Sequence, residues 1–281
     1  MTYLIAEVGA NHNQSLNRAI RLIDSAAECG FHAVKFQLFT LERLFHKTEI
    51  RKSPGVQLLR GAELPVDWVP ILKDESKRRG LQFGLSVFSV DDLRAVRSHL
   101  DFCKVASYEL LWSDLLVAAA STQLPIFLST GMASEDEVAS AVAVFRGAQV
   151  RDLTLMHCVS TYPAPPSEAN LSAIESLRQK FNLPIGWSDH TVDQMVVERA
   201  IGRWAASAVE LHFDLEGEGM EGKMGHCWRP EDVKVLIDHT QRWSVIDGDG
   251  RKRAMPSEEH ERTRRTDPWD GLRPLRSERQ D

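Results

Sequence analysis

Long apolar runs are missing from this chain: no stretch approaches the roughly 20 consecutive apolar residues that a membrane-spanning helix requires. The start, Met1-Thr-Tyr-Leu-Ile, also lacks the basic-then-apolar layout of a secretion signal, so a cytoplasmic protein is expected. Cysteine is scarce. The four that occur, Cys29, Cys103, Cys158 and Cys227, show no CxxC spacing, which argues against a disulfide framework and a zinc knuckle and predicts mostly buried, reduced thiols. Blocks of like charge are absent too. The 34 basic and 40 acidic residues are interspersed around a net charge of -6, so nothing invites nucleic acid, and an anionic substrate must be held by locally placed cations.

What is present is an alternation. Eight short apolar or β-branched runs, at 3–8, 33–39, 82–87, 102–106, 125–129, 153–158, 184–187 and 208–213, are separated by helix-period segments. That order predicts an α/β fold, a single (β/α)8 TIM barrel, for which 281 residues with 43% hydrophobic content suffice. Helices are expected at 16–29, 66–79, 91–99, 134–145, 167–181, 192–204 and 230–246. In the first, Leu16, Ala19, Ile20, Ile23 and Ala27 read as the apolar face, opposite Arg18, Arg21 and Asp24, with Gly30 ending the helix. The stretch 41–64 is long for a βα loop and reads as a lid or small subdomain. The barrel is expected to occupy 1–247. Beyond it, 248–281 is a polar tail, either disordered or an arm docked by Trp269 and Leu272.

In such a barrel the active site is built at the C-terminal ends of the strands. The residues standing there are Glu7, Asn11 and His12; Lys35 and Gln37; Ser86 and Ser89; Lys104, Ser107 and Glu109; Ser129 and Thr130; His157, Ser160 and Tyr162; Ser188, Asp189 and His190; and Glu210 and His212. Lys35 and Lys104 interrupt apolar strands, and a buried ammonium is costly unless paired. Each therefore meets either a carboxylate (Glu7, Glu109 or Glu210) or an anionic ligand, and two lysines at one mouth favour a phosphate or carboxylate. The Gly131 turn leads toward a helix N-terminus, another natural phosphate site. His190 and His212, at successive strand ends, are placed to converge on a divalent cation, with Glu7 or Asp189 completing the shell. His157 reads as a packed residue. His226, beside Cys227, reads as an exposed loop histidine or a third ligand.

The segments Ile5-Ala-Glu-Val-Gly-Ala-Asn-His-Asn, Ala33-Val-Lys-Phe-Gln, Leu128-Ser-Thr-Gly-Met, His157-Cys-Val-Ser-Thr-Tyr-Pro-Ala-Pro, Gly186-Trp-Ser-Asp-His-Thr and Glu210-Leu-His-Phe, in that order, resemble the sialic acid synthase family. The resemblance implies condensation of phosphoenolpyruvate with a sugar aldehyde to a 2-keto-3-deoxy sugar acid, with phosphate released. It implies manganese or magnesium at His190 and His212. Lys35, Lys104, Ser86, Ser107 and Ser188 would hold phosphoenolpyruvate, Glu7 would act as base, and Glu109 would contact the sugar. Gln37, Ser160, Tyr162, Asp189 and Glu210 join the expected substrate site. A homodimer is implied as well. A variant without the family's C-terminal antifreeze-like domain, which supplies an arginine to the sugar's acyl group, is expected, with Arg264, Arg265 or Arg273 as the expected replacement. The family's Gly-Pro-Asp-His reads Glu221-Gly-Lys-Met-Gly-His-Cys-Trp, so the acceptor half of the site looks rewritten. Two other readings stand beside this one: a metal-dependent aldolase, lyase or isomerase, and a non-catalytic barrel subunit.

Overall fold

Each apolar run becomes a parallel strand, because the helix that follows carries the chain back to where the next strand begins. In the computed structural model, which describes residues 2–279, the strands are β1 (Tyr3–Gly9), β2 (Ala33–Leu38), β3 (Gln82–Val87), β4 (Phe102–Val105), β5 (Ile126–Ser129), β6 (Leu153–His157), β7 (Ile185–Asp189) and β8 (Ala208–His212). They pair in sequence order, and β8 closes on β1. The expected (β/α)8 barrel is therefore the observed fold, with each strand bound within two residues of its expected position.

Alternation along the strands sorts the barrel's interior into layers. Ile5, Ala33, Phe102, Phe127, Met156 and Ala208 pack together as an apolar floor. Two residues further along come Glu7, Lys35, Lys104, Ser129 and Glu210, joined by Ser188 two residues beyond Gly186, all buried. The floor thus puts one apolar layer beneath the polar one. Gly84 and Gly186 make room in it: a Cβ would fall 2.2 Å from the Phe102 ring at the first and 2.4 Å from the Met156 sulfur at the second. The outward strand faces pack against the helices in a second, larger core.

The helix Leu16–Cys29 is capped by Ser15 and ended by Gly30 at φ 91°. Its buried stripe is Ala19, Leu22, Ile23, Ala26 and Cys29, so the expected face was rotated: Ile20 and Ala27 are only half-buried. A helix at Ser113–Ser121, absent from the sequence expectation, joins β4 to β5. Its core contacts come from Leu115, Leu116, Ala119 and Ala120, while Val117 faces solvent, so no polar face marks the helical period. The long segment after β2 folds into short helices, Leu41–Leu44, Lys47–Lys52 and Pro54–Leu58, ending in a 3-10 turn, Leu59–Ala62. Ala10, Phe39, Leu41 and Ala62 form a small core there.

Residues up to Thr240 form one compact unit and those from Gln241 another. Within the second, Asp267 accepts from the amides of Trp269 and Arg276, and Asp270 pairs with Arg276 and Arg279. No helix among the described residues is long and apolar enough to cross a membrane.

Candidate active site

Strand register brings the chemistry together at the C-terminal mouth of the barrel, around a cavity of about 280 Å³. Glu7 lies opposite Lys35 on one side and His212 on the other. The Lys35 ammonium meets the Glu7 carboxylate, donates to Ser86 Oγ at 2.7 Å and stands 3.8 Å from Glu210 Oε2. Lys104 Nζ donates to Glu210 Oε1 at 2.8 Å, and Ser188 Oγ donates to the same oxygen at 3.0 Å. Gln37 holds the other Glu7 oxygen at 2.6 Å. Of the two ways to satisfy the strand lysines, the structure shows the internal one: two ammoniums and two carboxylates alternate in a buried box with hydroxyls along one side. The arrangement can offer an anion donors that are already desolvated and oriented.

Charge sets the titration of this box. Burial opposes ionisation of Glu210, but Lys104 and then Lys35 hold its carboxyl well below the usual range. Glu7 goes the other way: burial pushes it up, Lys35 pulls it back, and the Glu210 carboxylate raises it again. The two acids therefore differ in proton affinity, Glu7 being the one whose protonated form burial favours.

Beside the box stand the histidines. His190 Nδ1 sits 2.6 Å from the Val159 carbonyl, and burial lowers its pKa to about 3, so the ring is neutral and Nε2 carries the lone pair. His212 Nδ1 is 2.7 Å from Glu221 Oε2. Burial disfavours its cation, yet the Glu221 carboxylate raises its pKa overall. The two rings lie 5.3 Å apart, with the Tyr162 ring 4.2 Å from His190 and 5.1 Å from His226. An imidazole whose Nδ1 is held by a carbonyl or carboxylate presents Nε2 as metal-binding histidines do.

Several sequence expectations need revision. Asp189 is fully buried and its oxygens accept from Trp187 Nε1, Thr191 Oγ1, the Val192 amide and Trp228 Nε1, so it braces the β7 end instead of facing substrate. Ser160 and Glu109 are not part of the cavity wall. Ser160 Oγ crowds Gly131, and Glu109 buries an oxygen that has no hydrogen-bond partner. The Gly131 amide donates to Ser107 Oγ, and the next helix carries its own Ser134–Glu137 capping box. His226 is buried, at 3% exposure, instead of lying exposed on its loop. His157 packs on Trp187 and bonds the Ala169 carbonyl, as expected. Cys29, Cys103 and Cys158 are buried free thiols and Cys227 is partly so.

Sequence reasoning missed Glu221 as a site residue. It comes nine residues after His212, on a loop with no strand register. Asn11 is what places it: Asn11 Oδ1 accepts from the Glu221 and Gly222 amides at 2.9 and 3.0 Å. Missed as well was the apolar upper wall, where Leu44, Leu59 and Ala62 from the segment after β2 meet Phe39, Phe88 and Met220.

Residues 22–252 match the NeuB family. The chain is 36% identical to Methanocaldococcus jannaschii protein MJ1065 over 264 residues, covering 92% of this chain and 75% of that protein. It is 32% identical to the N,N'-diacetyllegionaminic acid synthase of Campylobacter jejuni over 272 residues, covering 92% and 81%. Among solved structures it is similar to the N-acetylneuraminic acid synthetase of Leptospira borgpetersenii, crystallised with citrate, with a TM-score of 0.81, 32% identity, and 92% and 90% of the two chains covered.

Proposed function

The chain belongs to the NeuB family, and from that membership we propose that this enzyme condenses phosphoenolpyruvate with a sugar aldehyde to give a 2-keto-3-deoxy sugar acid and phosphate. The observation that carries the reading is the buried box in which Lys35 and Lys104 alternate with Glu7 and Glu210 beside Ser86 and Ser188.

In this reading Lys35, Lys104, Ser86, Ser107 and Ser188 hold the phosphate and carboxylate of phosphoenolpyruvate. The balance is simple. The methylene carbon of phosphoenolpyruvate bonds the aldehyde carbon, water adds at the adjacent carbon, and the carbon–oxygen bond to phosphate breaks. Glu7, with its raised proton affinity, takes the proton of the entering water, and Gln37 fixes the carboxyl that does so. Glu210 acts through the two lysines, keeping both charged and aimed. Tyr162 lines the acceptor side. His190 and His212 fit a divalent cation, manganese or magnesium, since each ring has Nδ1 held and Nε2 available. When bound, that ion would supply Lewis-acid polarisation of a carbonyl. Holding both reactants at near-attack distance would supply much of the remaining acceleration. Family membership also supports a homodimer, which light scattering would read.

The test is phosphate release from phosphoenolpyruvate with manganese, across aldoses with and without N-acetyl groups. Aldose-dependent release is expected, falling on the order of 100-fold or more in His212→Ala. Cleavage of a keto acid without any phosphoenolpyruvate binding would instead make this an aldolase.

A further inference from the structure

The loop between β8 and the following helix does more than close the barrel. Trp228 donates its amide to the His212 carbonyl and Asp214 donates to Trp228, so the chain returns to the strand end it left. Asp214 accepts from the Gly219 amide, and Asn11 accepts from the Glu221 and Gly222 amides while donating to the Phe213 carbonyl. This lacing carries Glu221, His226 and Cys227 back over His212. One donor atom from each of these four residues lies within 4.8 Å of every other. His190 is not one of the four.

The details favour an ion over a simple hydrogen-bonded cluster. Glu221 Oε1 is satisfied by the Ala10 amide at 2.9 Å, tucked where Gly9 leaves space, since a Cβ there would fall 2.1 Å away. Oε2 is thereby presented to two imidazoles, His212 Nδ1 at 2.7 Å and His226 Nε2 at 3.8 Å. His226 is buried with its Nδ1 lacking any hydrogen-bond partner, which nothing in the condensation explains. Cys227 Sγ accepts from the Asn11 side-chain amide at 3.3 Å. Two imidazole nitrogens, a carboxylate oxygen and a sulfur suit the thiophilic divalent ions, and a carboxylate with a thiolate balances two positive charges in a buried place.

We infer that His212, Glu221, His226 and Cys227 form a binding site for a thiophilic divalent cation of the zinc and cobalt class, with sulfur ligation from Cys227. The site stands whether or not the condensation reading does. His212 is common to this site and to the His190–His212 pair, so an ion held here lies at the cavity's edge.

Chelator-treated full-length protein, titrated with cobalt(II) and followed by absorbance, tests this directly. Equimolar cobalt is expected to produce a near-ultraviolet sulfur-to-metal charge-transfer band together with intense visible bands of a low-coordinate ion. Zinc should abolish both by competition. Cys227→Ser should remove the near-ultraviolet band, His226→Gln should weaken cobalt binding by at least ~10-fold, and His190→Gln should keep the band. Circular dichroism of each variant separates loss of the site from loss of the fold. A wild-type cobalt protein without the sulfur band overturns the inference, as does a band that survives Cys227→Ser, which would point to another thiol such as Cys158. Phosphate release is scored separately, so an active enzyme without the band rejects this site alone, and an inactive protein with the band rejects the condensation alone.

Discussion

Glu109 shows how far one side chain's surroundings can move its chemistry. Burial raises its pKa to about 7, against a modest pull from its own backbone amide and from Lys104. An unfolded chain releases that proton near the ordinary 4.5. As pH rises from there to about 7 the unfolded state binds fewer protons than the folded one, so stability falls across that window and the cost is complete above it. Replacing the carboxyl by an amide removes the dependence. Relative to wild type, Glu109→Gln should gain roughly 1–3 kcal/mol on going from pH 4.5 to pH 8, as read from urea melts at the two values. A difference independent of pH would show that the carboxyl is hydrated and titrates normally. At this scale the sequence was a good guide to residues that break a strand's apolar pattern, such as Lys35, Lys104 and Glu210. It was a poor one for Asp189, which sits in the right place but turns to two indoles. A strand position says which way a side chain starts out; its partners decide where the polar atoms end.

At the scale of elements, neighbouring strands constrain one another through the barrel's floor. Gly84 on β3 lies opposite Phe102 on β4, and the ring fills the space a side chain would take. Gly84→Ala should therefore cost about 1–3 kcal/mol by overpacking, seen as a lower urea midpoint with an unchanged slope. Wild-type stability in that variant would mean the Phe102 ring can move aside. The strands were legible because short apolar runs between helical segments admit few arrangements. The helix Ser113–Ser121 was not, because an alanine-rich segment with an exposed valine has no polar face to reveal its period. The loop carrying Glu221 was illegible for another reason: its path follows from Asn11 and Asp214, and only the first motif hinted that Asn11 had work to do.

On the scale of the whole molecule, binding at the mouth is linked to global unfolding, since the site's residues come from strands along the entire chain. Phosphoenolpyruvate at 100 times its dissociation constant should raise the unfolding free energy by about 2.7 kcal/mol, read as a shift in thermal midpoint. Lys35→Met should abolish most of that shift at the same concentration, and an undiminished shift would move the anion site away from the box. The sequence by itself determined the eight-stranded barrel and the inward residues at its mouth, because strand periodicity is a local property and survives without knowledge of neighbours. Only the tertiary structure decided that Lys35 pairs with Glu7, that Lys104 pairs with Glu210, and that Glu221, His226 and Cys227 fold back over His212. Those contacts join segments as distant as Ala10 and Glu221. They exist because β8 closes on β1, an event no local pattern records.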